Sequence, residues 1–286
     1  MLPHDLVFNA SLQYYLPIFL WVFVAFTSAY IVNRCIRNAG VVDVFWGAGF
    51  GLIAIYFISM LNQADFFFFK KEVGVTNLVF AGMIIAASIR LTYHIGQRFI
   101  HEYPEEDPRY SKFKQAYPKH PELMTFLVYH FQGVFMSIIS YPIFIGILMP
   151  NIWTSWQTIG LGLFILAWLI EGVSDAQLDQ FKKQPNTKGV TCTKGLWAYS
   201  RHPNYFGQWL LWVSYAVFVT PALDTSWLLC LVWLAPALMF HFLLNVTGVK
   251  VSEEHAIQSR KDYSAYQAST SKFLLWPLKP VPNFLK

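Results

Sequence analysis

Leu16-Pro-Ile-Phe-Leu-Trp-Val-Phe-Val-Ala-Phe-Thr-Ser-Ala-Tyr-Ile-Val32 runs for seventeen residues without a charge. A helix needs roughly 20 residues, at a rise of ~1.5 Å each, to cross the ~30 Å hydrocarbon core of a bilayer. Runs of this kind recur, and seven spans are expected, at about 13–33, 42–60, 76–96, 124–149, 156–175, 205–220 and 226–248. The sixth is short, with Pro221 and Asp224 behind it. Composition agrees: of 286 residues, 55% are hydrophobic, 18% aromatic and only 13% charged, unlike an ordinary soluble domain. The expected fold class is an all-α polytopic membrane protein, a single domain over 1–286 with its candidate functional motifs concentrated in the C-terminal half, about 160–280.

Eighteen of the 21 Lys and Arg fall in the loops after spans one, three and five and in the C-terminal tail. The opposite loops carry only Lys70 and Lys71, and Arg90 lies within a span. The positive-inside rule then puts the N-terminus outside and the C-terminus in the cytosol, as in a multi-pass protein of a bacterial inner membrane or the endoplasmic reticulum. Met1 to Tyr15 has neither a basic n-region nor a cleavage pattern, so the first span is expected to remain in the protein. The net charge of +5 belongs to these loops and does not suggest a nucleic-acid partner. Cys35, Cys192 and Cys230 form no C-x-x-C pair and imply neither a disulfide framework nor a zinc site. The eight histidines form no H-x-x-H-H cluster of the kind a di-iron site needs, so no metal centre is expected.

Polar residues gather at one depth. Asp43 opens span two, Arg90 lies late in span three, Glu171 and Asp175 close span five, and His241 and Asn245 lie late in span seven. Ionisable groups within spans normally face a bundle interior or a watery cavity, and short acidic side chains snorkel poorly. A polar cavity opening to the cytosol is expected. Asp43 shares a helix face with Trp46 and Gly47; it either holds the polar end of a substrate or pairs with Arg90. Gly47, Gly49 and Gly51 do not match a dinucleotide fingerprint and are expected to permit close helix contact. Arg90, Tyr93, His94 and Gln97 fall on one stripe, where a Tyr or His in a dry site can donate to a carbonyl. A tyrosine there also suits a membrane-interface anchor. Residues 101–110 read as a solvated loop leading to an interfacial segment near 111–117.

Glu171, Asp175 and Lys182 form a second stripe. Its carboxylates suit a ribose hydroxyl or an amide, while Lys182 and Lys183 either meet phosphate or flank the membrane. Beyond it lies Lys194-Gly-Leu-Trp-Ala-Tyr-Ser-Arg-His-Pro-Asn-Tyr-Phe-Gly207. Gly195 allows close backbone approach, Arg201 offers a planar fork for a phosphate, and Pro203 can open the next helix toward an anion. Trp197, Tyr199 and Tyr205 can stack on a flat base. The chemistry specifies an anion plus a ring.

Gly195-Leu-Trp197, Ser200-Arg-His-Pro-Asn-Tyr205, Gly207 and Trp212 resemble the signature of the steroid 5α-reductase and sterol-reductase superfamily. The tail, with Lys250, Glu253-Glu254, Asp262-Tyr263, Tyr266 and Thr270-Ser-Lys-Phe-Leu-Leu-Trp-Pro277, is similar to that group's closing segment. Val42-Asp-Val-Phe-Trp-Gly47, Arg90-Leu and Glu106-Asp-Pro-Arg-Tyr110 resemble its bacterial-type branch known only as a domain of unknown function. The resemblance implies an NADPH pocket in which Asp175 and Asn204 contact the cofactor. With the residue readings above, Glu171, Lys182, Gly195, Trp197, Arg201, His202, Tyr205 and Glu254 complete the expected cofactor-binding set. The R-H-P-x-Y-x-G element is shared with isoprenylcysteine carboxyl methyltransferases, which bind S-adenosylmethionine (SAM). Two departures stand out: span two holds Asp43 and no Gln-Glu pair, and Tyr93 precedes His94 where the reductases have the reverse order.

The expected activity is NADPH-dependent saturation of a C=C bond conjugated to a carbonyl in a lipid-soluble substrate within the membrane. Tyr93, His94 and Asp43 are the candidate catalytic residues, polarising the carbonyl or returning a proton. The alternatives are a SAM-dependent membrane methyltransferase and a non-enzymatic lipid-binding protein.

Overall fold

The computed structural model describes residues 11–61, 73–222 and 226–275. Lys70, Lys71 and Asp224 lie outside them, as do Trp276 and Pro277 of the closing segment. After a turn of π-helix at Ser11–Tyr15 come α1 (Leu16–Ile36), α2 (Val41–Leu61), α3 (Val75–Glu102), α4 (Pro108–Ala116), α5 (Pro121–Ile139) and α6 (Tyr141–Leu148). They are followed by α7 (Ser155–Lys182), α8 (Pro203–Val219), α9 (Ser226–His241), α10 (Val249–Ser259) and α11 (Tyr263–Ser269). No strand occurs among the described residues; a single parallel bridge joins Ser200 to Ser271.

Among the described residues, six stretches are long and apolar enough to cross a membrane: Gln13–Ile36, Val41–Leu61, Val75–Glu102, Pro121–Leu148, Ser155–Lys182 and Cys230–Ser259. They correspond to expected spans one to five and seven. The sixth expected span is α8, a helix of 17 residues that is not among the six. Expected span four is two helices meeting at Ser140, because Pro142 has no N–H to donate and sits in the first turn of α6, where none is required.

The chain divides into two compact units, Met1–Thr158 with Tyr215–Ala235, and Ile159–Ser214 with Pro236–Lys286, so the boundaries fall inside α7, α8 and α9. In the first unit α2 and α3 approach through small residues. A Cβ on Gly47 would lie 3.0 Å from Thr92 Oγ1, and one on Gly51 would lie 2.7 Å from Ser88 Oγ. Ser88 Oγ donates to Gly47 O at 2.5 Å and accepts from Gly51 N at 3.0 Å, binding the two backbones. Gly49 instead meets Met136 of α5. Tyr15, Phe57, Tyr141 and Phe144 form a buried ring cluster, and the Tyr15 hydroxyl donates to Ser137 O. Away from this core, Asn77 donates to Ile147 O at 3.0 Å and Met149 O at 2.9 Å, meeting two carbonyls at the end of α6.

In the second unit α7 and α8 touch at Gly207, where a Cβ would lie 2.8 Å from Glu171 backbone N and 3.0 Å from Ala167 O. Phe206, Trp209, Phe240 and Phe273 pack with ring centroids 5.4–5.9 Å apart, bringing the tail against α8 and α9.

Gly51→Val drives a branched side chain into Ser88. It is expected to cost about 1–3 kcal/mol in thermal unfolding of the detergent-solubilised protein. Gly82→Ala, where a Cβ meets nothing within 4 Å, leaves stability unchanged or raises it by up to ~1 kcal/mol.

Candidate cofactor site

One turn apart on α7, Glu171 and Asp175 are 3% and 6% exposed, on the face that α8 covers at Gly207. Pro203 opens α8 as its missing N–H predicts, which sets Asn204 in the first turn. Asn204 Nδ2 donates to Asp175 Oδ1 at 3.1 Å, and its Oδ1 accepts from Tyr205 N at 3.0 Å. The Gln208 amide, with its nitrogen toward α7, donates to Glu171 at 2.8 and 3.2 Å. Between the two carboxylates, Ser174 O accepts from Trp197 Nε1 at 2.9 Å and ties the 195–198 turn to α7.

The Ser200–Tyr205 stretch is held by the tail. Arg201 Nε donates to Glu253 Oε1 at 2.7 Å and Nη2 to Oε2 at 3.3 Å. Arg201 Nη1 donates to Gln267 O at 2.8 Å and Thr270 O at 3.1 Å. The side chain is 10% exposed, and four of its donor contacts turn inward, so the guanidinium braces the tail and does not present an open fork for a phosphate. His202 Nε2 lies 3.1 Å from Glu253 Oε1, and its ring stacks on Tyr205 with centroids 5.3 Å apart. Burial pushes the His202 imidazole below its ordinary value, although Glu253 pulls the other way. Tyr266 OH donates to Trp197 O at 2.5 Å and Ser200 O at 3.2 Å; burial raises its pKa and keeps the proton that makes both bonds.

The residues leading into this stretch are equally constrained. Thr191 N and Oγ1 donate to the Asp262 carboxylate at 2.9 and 2.7 Å, while burial pushes the adjacent Cys192 thiol up. Gly195 has φ +60°, the left-handed region a side chain disfavours, and Gln177 Oε1 accepts from Leu196 N at 2.9 Å. Lys182 and Glu254 are exposed. The buried acid of the Glu-Glu pair is Glu253, which the expected site set omits. The signal for it is present in α10, where Val249, Glu253 and Ala256 recur at helical spacing and are all buried.

The first unit pairs Asp43 with a different cation from the one expected. Its carboxylate takes Arg109 Nη2 at 2.6 Å and Tyr110 OH at 2.7 Å, with Arg98 at 4.0 Å, so the ion pair is with Arg109 instead of Arg90. Burial works against charge on Asp107, but the Arg109 side chain and backbone N–H outweigh it and hold that carboxyl below its usual range. Glu106 joins in, accepting from Lys114 Nζ at 2.6 Å and from Ala39 N at 2.9 Å. The segment read as a solvated loop is therefore a clamp on the α1–α2 turn. Asp107 caps α4 through Arg109 N at 2.9 Å, the role an Asp-Pro pair commonly fills.

The α3 residues that line a small cavity together with Asp43 are Ile95, Arg98, Phe99 and Glu102. The face of α3 toward α2 carries Ser88 and Thr92, and Tyr93 stands ~100° farther round the helix, 68% exposed. His94 is half-buried.

Buried carboxylates one turn apart, flanked by amides and a tyrosine, fit ribose hydroxyls, an amine or a carboxamide. The inward-turned Arg201 does not fit the phosphate-fork role. Together, fold and site define a polytopic helical membrane protein with a polar clasp built on the end of one span. The chain belongs to the family described as "Protein of unknown function (DUF1295)", matched over residues 29–270, within the steroid 5α-reductase-like superfamily. An uncharacterized protein of Schizosaccharomyces pombe is 25% identical over 210 residues, covering 65% of this chain and 59% of the yeast protein. No solved structure matches.

Glu253→Ala leaves Arg201 and His202 without their shared acceptor and is expected to cost about 3–5 kcal/mol in unfolding, whereas Glu254→Ala stays within about 0.5 kcal/mol. Since His202 sits below its ordinary 6.5 in the folded chain, unfolded molecules take up that proton first as the pH falls. Stability therefore drops as pH falls through about 6.5 toward the folded value, and His202→Gln flattens that part of the pH–stability profile.

Proposed function

We propose that this protein is a membrane-embedded NADPH-dependent reductase that saturates a C=C bond conjugated to a carbonyl in a lipid-soluble substrate. The observation that supports this most is the buried Glu171–Asp175 pair, held to Asn204 within the R-H-P-x-Y-x-G segment typical of the superfamily and to Gln208 just after it. On this reading Asp175 and Asn204 hold hydroxyl or amide groups of the cofactor, Glu171 supports them through Gln208, and Tyr205 offers a ring face. When bound, NADPH supplies the hydride. Tyr93 or His94 polarises the carbonyl or returns the proton that completes the reduction. Asp43, hydrogen-bonded to Arg109 and Tyr110, assists as the third catalytic residue. We further propose that α8 crosses the bilayer as a seventh span, with the N-terminus outside and the C-terminus cytosolic. A bacterial inner membrane or the endoplasmic reticulum would suit that topology.

A SAM-dependent methyltransferase is the second reading, because the same acid pair and the shared R-H-P-x-Y-x-G element suit the ribose of SAM equally well. Calorimetric titration of the detergent-solubilised chain separates them: NADPH binding with SAM silent is expected. SAM binding with NADPH silent establishes the methyltransferase reading, and silence from both leaves a lipid-binding protein. Within the reductase reading, Tyr93→Phe is expected to lower turnover by about 10²–10⁴-fold with cofactor affinity unchanged. Full turnover in Tyr93→Phe together with its loss in His94→Ala would move that role to His94.

A further inference from the structure

The last turns of α7 carry a second polar face that the acid pair does not use. Gln177, Gln180 and Phe181, with Gln184 just beyond, recur at i, i+3, i+4 and i+7 and so share one side of the helix. Opposite them stand Lys194 and Gly195, and the cleft between has a volume of about 190 Å³. One wall is fixed in advance. Gly195 adopts its left-handed conformation with the Gln177 amide lying where a Cβ would be, and Gln177 Oε1 takes the Leu196 N–H at 2.9 Å. A bulkier residue at 195 would break that arrangement. The side-chain amides of Gln180 and Gln184 make no hydrogen bond among the described residues.

We propose that this cleft is the adenine subsite of the cofactor. Glutamine amides present a donor and an acceptor side by side, the complement of adenine's amino group and ring nitrogen. Phe181 supplies the apolar face on which a base stacks, and Lys194 lies where the phosphate or ribose end of the nucleotide would leave the cleft. Taking ~30 Å³ as one water's share of liquid, 190 Å³ equals about six waters, room for a bicyclic base. The glutamine face carries no carboxylate, which distinguishes it from the Glu171–Asp175 pair two turns earlier. The subsite rests on the reading that this unit holds a dinucleotide such as NADPH, whose nicotinamide end lies at the acid pair while its adenine lies apart from it. In SAM the single ribose is bonded directly to adenine, so the acid pair and this cleft could not share that molecule.

The test uses the full chain in detergent, titrated with NADPH and its hypoxanthine analogue, and with ADP and IDP as probes without nicotinamide. Hypoxanthine replaces the amino donor with a carbonyl. Adenine forms are expected to bind about tenfold tighter than hypoxanthine forms. The double variant Gln180→Ala/Gln184→Ala brings that ratio to about one. Phe181→Ala weakens both forms about tenfold without changing the ratio. Thermal unfolding of each variant shows whether it remains folded, and the ratio within one variant is insensitive to the amount of active protein. Equal binding of adenine and hypoxanthine forms by the unaltered chain overturns the proposal. So does a double variant that keeps the preference, or a chain that binds neither NADPH, SAM nor ADP. Preference for ADP over IDP together with silence toward NADPH upholds the adenine subsite and removes the reductase reading.

Discussion

A carboxylate withdrawn from water must be met by donors on several sides, and in the second unit Glu253 is met by Arg201, His202 and Gln267. Those three contacts tie α10, the tail and the Ser200–Tyr205 segment into one body. Arg201 extends the tie through Gln267 O and Thr270 O, and the Ser200–Ser271 bridge runs beside it. Once the segment is fixed, Pro203 can open α8 at a set point. Asn204 then reaches Asp175, and Gly207 closes on α7. Removing a buried acid of this kind takes the shared acceptor from three donors at once, which is far costlier than losing a surface pair.

The first unit solves a similar problem with different residues. Asp43 begins a membrane helix whose end needs polar partners, and Arg109 and Tyr110 supply them from beyond α3. Glu106 and Asn38 complete the connection by bonding the α1–α2 turn to residues 105–114. Both units thus keep their apolar helices in register by charged and amide contacts placed at the helix ends. Hydrocarbon leaves few other options, because an open backbone group or a lone charge within it has no water to turn to.

How much of this could be read from the chain depends on the range of the force involved. Apolar runs announce themselves residue by residue, and six of the expected spans correspond to stretches long enough to cross a bilayer. The Gly47–Gly51 spacing was legible as a close helix contact because small residues one turn apart form a groove whatever lies opposite. The break at Ser140 was hidden, since Pro142 reads as one imperfection in an otherwise apolar run. Asp43 was expected to hold a substrate or to pair with Arg90, and only folding brought Arg109, 66 positions away, to its carboxylate. Glu253 and Glu254 are chemically identical neighbours, and the helical phase of α10 turns one inward and leaves the other exposed.

By itself the sequence determined that this chain is a helical membrane protein, where six long apolar stretches lie among the described residues and which superfamily its R-H-P-x-Y-x-G segment resembles. These follow from local hydropathy and from a contiguous motif, properties a linear string carries intact. Only the tertiary structure decided that Arg201 points inward, that Glu253 is its partner and that a glutamine face opens beside Gly195. Those outcomes depend on which distant groups share the same few cubic ångströms once water is excluded, and no spacing along the chain encodes that.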